Sequence, residues 1–382
     1  MAITIEQAFE SLDDSIVRLG QLYHLQALSQ ESLSDEGQKM LRLATEQCSQ
    51  SFQDMISVEA SIADWISIAW RKIKEAIAYI WNMLKSIFAE DHDEKELKKS
   101  KMRQDKVKEI LETAGHNVKF DESAYLDTSL ARHFEYHKES IVYGQLVIDQ
   151  AAALEAIIGY LKMIAEAALQ AQDMVRQHLP TLIQAGQPIS ALGLLITQVM
   201  EPAIEQQTFH QVIDRSAYQG LQVDMKDVNF GNSGYLDIML GNRKLFILDV
   251  QPTRTTHHYK LKVSEDPHLK AHDVKVAYFK AQELGDYMIV LDRVTHSLLE
   301  TQDTLVRLTN VAQRTSKDTL AIIEGLFIKE PENAQRTLEA ASLLLKTAIQ
   351  PFFDSIACLK QIKRDLAVHA AIQDANINHY KT

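Results

Sequence analysis

The amino-acid sequence predicts a mostly α protein, an elongated helical assembly with a small antiparallel β-sheet insert. Glycine and proline are scarce, at 13 and 7 of 382 residues, which favours long helices over a loop-rich β fold. Apolar residues recur at three- and four-residue steps through most of the chain, which is the period of helices that bury one face. The pattern changes between 220 and 265, where short β-branched and aromatic runs alternate with turn residues, as in antiparallel strands.

Residues 1–59 form an acidic helical segment that differs in charge from the rest of the chain. It carries three basic and ten acidic residues, so it holds −7 of the total net charge of −12. Its apolar positions follow a helical spacing, although less regularly than those of the later segments. More than half of the excess negative charge therefore lies in less than a sixth of the sequence.

Residues 60–90 form an amphipathic Trp-rich segment, in which we place one helix at 62–88. Ser61 opens a capping-box pattern that Asp64 completes, so it marks the start of a helix. All the tryptophans of the chain lie in this segment: Trp65, Trp70 and Trp81. Each large apolar side chain contributes about 1.5–3 kcal/mol when it is buried. We interpret the apolar face as packing within the chain or against a partner, and contact with a membrane interface is the alternative.

The rest of the chain divides into four segments: 91–115, a charged helix or linker; 116–219, a helical domain; 220–265, the small antiparallel sheet; and 266–382, a second helical domain. Within the first helical domain, Pro180, Gly186 and Pro188 predict a break between two helices. Within the second, Pro351 lies in a helical pattern and predicts a kink or an end, because proline lacks the backbone donor that a helix needs.

The bulk composition excludes several classes of function. A net charge of −12 opposes strong nonspecific binding of nucleic acid, which depends on a cationic surface. The N-terminal residues have no basic stretch followed by an apolar one, so we expect no secretory signal. No apolar run approaches the roughly 20 residues of a membrane span. We expect a protein of the cytosol whose two cysteines, Cys48 and Cys358, are reduced.

Three histidine pairs are candidate metal ligands. His133 and His137 are four residues apart on a predicted helix, but the glutamate between them does not follow the first histidine directly, as a metalloprotease requires. His268 and His272 share the spacing and have leucine at that position, so we interpret both pairs as solvated surface residues. The third pair, His257–His258, precedes a strand, and we expect it in a loop. The sequence predicts no metal site and no cofactor.

The sequence pattern of one predicted hairpin is similar to that of the core of a metal-dependent nuclease. Asp237 and Asp249 lie on two predicted adjacent strands, as do the acids of that core. However, Gln251 occupies the position of the lysine that helps to position the attacking water. The alternative interpretation is a row of polar residues on the exposed face of a hairpin. We predict no catalytic residues, and a divergent nuclease stays an alternative.

The boundary between the acidic segment and the tryptophan helix carries a resemblance to a known family. Ser57, Val58 and Glu59, followed by Ala60, match a small-residue-x-Glu pattern. This pattern resembles the sites cut by the capsid-maturation proteases of giant tailed phages of the phiKZ type. Their internal head proteins, also called inner-body or ejection proteins, carry an acidic helical propeptide. The stretch ADWISIAWRKIKEAIAYIWNMLKSIF is similar to the helix that often opens the mature part of those proteins.

The resemblance implies a virion structural protein that is packaged inside the head, processed after Glu59 and able to be ejected with the DNA. Its partners would be the prohead protease and other capsid or inner-head proteins, and its location the host cytoplasm during assembly and then the capsid interior. Seven other tripeptides match the pattern, but the one at Glu59 coincides with the shift in charge. The alternative from another class is a cytosolic interaction protein that uses the 62–88 helix to bind a partner or a membrane.

Overall fold

The structure of the chain is a computed structural model. It describes residues 12, 14–22, 24–25, 38–39, 62–89, 93–113, 124–134, 140–204, 222–226, 234–240, 243–252, 257–264, 273–329 and 334–380. For the strands between 222 and 264 the description is of the backbone. Most of the described residues are helical, so the predicted mostly α class is confirmed.

Eight α-helices in the described residues are numbered here in chain order. Their bounds are α1 (Ile62–Ala89), α2 (Asp93–Thr113), α3 (Thr128–Ala131), α4 (Gly144–Gln184), α5 (Ile189–Ile204), α6 (Ala281–Lys329), α7 (Ala334–Leu344) and α8 (Gln350–His379). A 3₁₀ turn, Arg132–Phe134, follows α3. The helix predicted at 62–88 corresponds to α1, and the charged segment at 91–115 contains a helix, α2.

Two sheets are present among the described residues. The first has four antiparallel strands in chain order, β2 (Gln222–Lys226), β3 (Gly234–Leu240), β4 (Arg243–Pro252) and β5 (His257–Ser264). The second pairs β1 (Ile141–Val142) in parallel with β6 (Lys275–Val276). The prediction of a single antiparallel insert is therefore incomplete. Strands of two residues are too short to give an alternating pattern, and this pairing joins distant parts of the chain.

The chain folds into two compact units, and each unit consists of three separate stretches. The first comprises Met1–Ile87, Leu169–Ile196 and Thr309–Gln350. The second comprises Phe88–Ala168, Thr197–Leu308 and Pro351–Thr382. The boundaries fall inside helices such as α4 and α6. Contiguous sequence segments do not anticipate this division, because helical periodicity does not indicate which part of a long helix packs with which partner.

The N-terminal acidic segment contributes to the core of the first unit. Residues 14–22 are helical, and the apolar side chains near them are buried at three- and four-residue steps: Leu12, Ile16, Leu19, Leu22 and Leu25. Gly20 lies close to α7, since a Cβ atom added to it would be 3.3 Å from Cδ1 of Leu338. The segment is therefore packed against the rest of this unit by an apolar stripe.

The break between α4 and α5 is a glycine-terminated helix end. Gly186 has a φ of 65°, its N–H donates to the carbonyl of Ile183, and the N–H of Gln187 donates to the carbonyl of Leu182. This pair of bonds is the Schellman motif, in which glycine adopts the left-handed conformation at little cost. Gly186 and Pro188 therefore lie in the predicted break, whereas Pro180 lies inside α4.

Pro351 coincides with a change of helix type and does not end the helix. The chain forms a π-helix over Leu345–Ile349 and then continues as α8, in which Pro351 is the second residue. Proline has no N–H to donate to the preceding turn, and a π segment widens that turn. The side chain of Gln172 donates to the carbonyl of Ala348 at 3.4 Å, and the hydroxyl of Ser316 donates to Gln172 at 2.9 Å. The carbonyl of Ala348, in the π segment, thus accepts from a buried side chain of the first unit.

The second unit has an apolar core that helix α2 joins through a few side chains. Val107 and Ile110 are buried in that core, although α2 is otherwise rich in charge. Arg103 adds a bidentate ion pair with Asp374 on α8, with N···O distances of 3.0 and 2.9 Å. These contacts explain why a segment with little amphipathic pattern still forms an ordered helix.

Candidate functional site

The site residues predicted from the sequence fall into two groups. Ser57, Glu59 and Ala60 lie outside the described residues. The tryptophan helix is described as α1, which begins at Ile62, and for Trp65 only its place in that helix is described.

Trp70 and Trp81 are buried inside the first unit. Their exposed fractions are 3% and 1%. The ring of Trp70 meets the ring of Phe327 on α6 edge to face, with centroids 5.5 Å apart. Such aromatic pairs add about 0.5–1.5 kcal/mol to the burial itself. The indoles of these two residues are therefore part of the core, and the outer face of α1 carries charged residues such as Arg71 and Glu75.

A groove of about 340 Å³ runs between α1 and α6 in the first unit. Its floor is apolar and consists of the buried side chains of Ile77, Trp81 and Leu320. Ala78 on α1 and Ala321 on α6 also line it, and both are exposed. Small residues at these two positions keep the space open, since a larger side chain at either one would occupy it.

Polar residues stand at both ends of this groove. At one end the ammonium of Lys74 on α1 lies 2.6 Å from a carboxylate oxygen of Glu324 on α6. The other end is lined by Gln313 and Lys317 on α6. Neither residue has a hydrogen-bond or ion-pair partner within the part of the chain that the structure describes. The groove thus combines an apolar floor with one exposed ammonium group that has no counter-charge among the described residues.

The sequence predicts the apolar face of α1, which forms one wall of the groove. It does not predict which residues of α6 form the other wall. The apolar stripe of α1 was readable from its periodicity. The residues that α6 contributes, Lys317 and Leu320, carry no local signal that would separate them from other positions of a long amphipathic helix. Their pairing with α1 depends on contacts between parts of the chain that are far apart in sequence.

A second cluster lies in the core of the second unit. The hydroxyl oxygen of Tyr287 lies 2.7 Å from Nδ1 of His369 and donates to the carbonyl of the same residue at 3.1 Å. Burial and the neighbouring ring of His133 lower the pKa of His369 to about 3. Burial raises the pKa of Tyr287 well above its usual value. Both side chains are therefore neutral near neutral pH, and the pair fixes α6 to α8 within this unit.

The three candidate histidine pairs lie only partly among the described residues. His133 stands next to His369, with ring centroids 5.9 Å apart, while His137 lies outside the described residues. His268 and His272 also lie outside them. His257 and His258, expected in a loop, instead open β5, because the strand begins earlier than the turn residues indicate. Among the described residues, no group of three histidine, cysteine, aspartate or glutamate side chains could hold a metal ion.

The nuclease-like hairpin exists as a pair of adjacent antiparallel strands, β3 and β4. In their register Asp237 is opposite Ile247, and Asp249 is opposite Tyr235, so the two aspartates are two positions apart along the ladder. Gln251 pairs with His258 on β5. The register also sets Lys260 opposite Asp249. An acidic pair on neighbouring strands is common on the polar face of a sheet and does not by itself make a catalytic site.

None of the described helices combines the length and the apolar character needed to cross a bilayer. Comparison of the chain with models of known protein families, with curated proteins and with solved structures found no match.

Proposed function

We propose that this protein is a virion structural protein of a giant tailed phage, packaged inside the head and cut after Glu59 during capsid maturation. The observation that carries the proposal is a coincidence at one point of the chain. The acidic segment ends there, a small-x-Glu pattern occurs there, and α1 begins three residues later, at Ile62. A site just ahead of a stable helix can be cut without loss of that helix, because the cut removes only residues that precede it.

The acidic segment is packed into the first unit, and this packing affects how the segment can leave after cleavage. Side chains at Leu12, Leu19 and Leu22 are fully buried, so cutting the chain after Glu59 would not by itself release the segment. Each buried leucine contributes about 1.5–3 kcal/mol to keeping it in place. Complete removal would then need either further cuts within 1–59 or dissociation from the surface that includes Leu338. Several of the other small-x-Glu matches lie in this segment, where additional cuts would shorten it.

Mass spectrometry of purified virions tests the proposal. The expected result is a peptide that starts at Ala60, with the intact N-terminus confined to lysates taken before head maturation. In virions that carry Glu59→Gln, this peptide should disappear, because the pattern requires the glutamate. Glu46→Gln, at another match to the pattern, is the control and should leave the peptide unchanged. An intact Met1 terminus in mature particles would contradict the proposal.

The alternative is binding to a partner or membrane through the 62–88 helix. Trp70 and Trp81 are buried, so a membrane would meet the outer face of α1, which is rich in charge. Charged residues weaken insertion of a helix face into the interface. We therefore expect no lipid-dependent pelleting when the full chain is sedimented with anionic vesicles, and pelleting that Tyr79→Ala abolishes would favour this alternative over the virion role.

A further inference from the structure

The two ends of the groove between α1 and α6 differ in the residues that line them. Lys74 pairs with Glu324, and Trp70 meets Phe327, so residue numbers fall along α1 as they rise along α6. The two helices are antiparallel here. Trp81 therefore lies two turns away from the Lys74 end, toward Lys317, a distance of about 10 Å at the rise of an α-helix. One end is closed by an ion pair, and the other carries an ammonium and an amide.

This arrangement matches a ligand with an apolar body and one negative charge. The floor of Ile77, Trp81 and Leu320 offers no charge, whereas Lys317 offers a single cation with no partner among the described residues. The amide of Gln313 stands beside it as a further hydrogen-bond donor. At about 340 Å³ the space is at the lower end of the range of small-molecule sites, which begins at roughly 300 Å³.

We propose that the groove binds a free alkyl carboxylate of medium chain length, with its chain along Ile77, Trp81 and Leu320 and its carboxylate at Lys317 and Gln313. The ion pair of Lys74 with Glu324 closes the far end, so the chain enters with its methyl terminus toward Lys74. A carboxylate at that end would instead face Glu324, and like charges repel. The charge pattern therefore fixes the orientation of the ligand.

Calorimetric titration of the full chain with decanoate, below the concentration at which it forms micelles, tests this site. Decanoate should bind at one site per chain, and each methylene removed, from decanoate to nonanoate and octanoate, should weaken binding about fourfold. Decanol, which has the same chain and no charge, should bind more weakly than decanoate. Absence of decanoate binding, or decanol binding as tightly as decanoate, would overturn the proposal.

Two variants with a matched control locate the binding. Lys317→Met should weaken decanoate binding by about two- to fivefold, the range expected for the loss of an exposed ion pair. Arg314→Met removes a charge from the same helix outside the groove, and it should leave the affinity unchanged. Lys317→Arg, which keeps the charge, should restore most of the binding.

Ala321→Leu tests the apolar part of the site. Position 321 is exposed and helical, and leucine is a good helix former, so this variant should fold with an unchanged melting temperature. Its side chain fills the groove, and decanoate binding should be lost. If Ala321→Leu and Lys317→Met both bind decanoate as the parent chain does, the ligand sits elsewhere and the assignment is wrong.

Discussion

Helix α1 buries an apolar face, whereas helix α8 buries a face that is partly polar. The buried face of α1 is apolar and includes Trp70, Ile73 and Trp81. The buried face of α8 includes polar residues at three- and four-residue steps: Asp365, His369, Gln373 and Asn376. An apolar face is stabilised by any well-packed apolar neighbour. A polar face costs free energy unless specific partners satisfy each group.

The partners of the α8 face come from the same unit and are specific. The side-chain oxygen of Asn376 accepts from the N–H of Phe279 at 2.7 Å, and its amide donates to the carbonyl of Ile372 at 2.8 Å. His369 is paired with Tyr287. Helix α1 is therefore held by apolar burial, which tolerates small changes of position, whereas α8 is held by apolar burial and also by hydrogen bonds, which specify one register.

The largest effect should come from the apolar face. Trp81→Ala removes a fully buried indole and leaves a cavity, so the free energy of unfolding should fall by about 3–5 kcal/mol in chemical denaturation. Tyr79→Ala is the control on the same helix, because Tyr79 is 43% exposed, and it should change stability far less. Equal losses for the two variants would show that burial does not hold α1 in place.

A smaller effect is expected from Asn376→Ala on the polar face. The substitution leaves the buried N–H of Phe279 without its acceptor, which costs about 1–3 kcal/mol in the same denaturation measurement. Asn378→Ala, at an exposed position two residues later, is the control and should have little effect. If the two variants are equally stable, hydrogen bonding does not distinguish α8 from α1.

The third effect is a dependence on pH that only the polar face should show. His369 stays neutral in the folded chain down to about pH 3, whereas in the unfolded chain it protonates below its ordinary pKa of 6.5. Between these values the unfolded state binds more protons, so the free energy of unfolding falls as the pH falls, by up to about 1.4 kcal/mol per unit. This contribution is fully present above pH 6.5.

His369→Gln should reduce that slope when stability is measured from pH 7 down to pH 5. His296→Gln, an exposed histidine on α6, should keep the slope of the parent chain. A slope that His369→Gln leaves unchanged would mean that other groups carry the pH dependence, and the neutral Tyr287–His369 pair would lose its assigned role.

Only part of the candidate site could be predicted from the sequence. The apolar stripe of α1 was predicted, because a helix that buries one face repeats apolar residues at its own period. The roles of Lys317 and Gln313 were not predicted, since a polar residue on α6 has the same local sequence pattern whether or not a groove lies beside it. The Tyr287–His369 pair was missed for a related reason, because a histidine within an apolar stripe gives no indication of its partner.

The sequence by itself determined the mostly α class and the start of the tryptophan helix, because these follow from local periodicity and capping. The tertiary structure decided the division into two units of three stretches each, the π segment ahead of Pro351 and the burial of polar residues along α8. These features depend on which distant side chains meet, and local patterns contain no information about that choice.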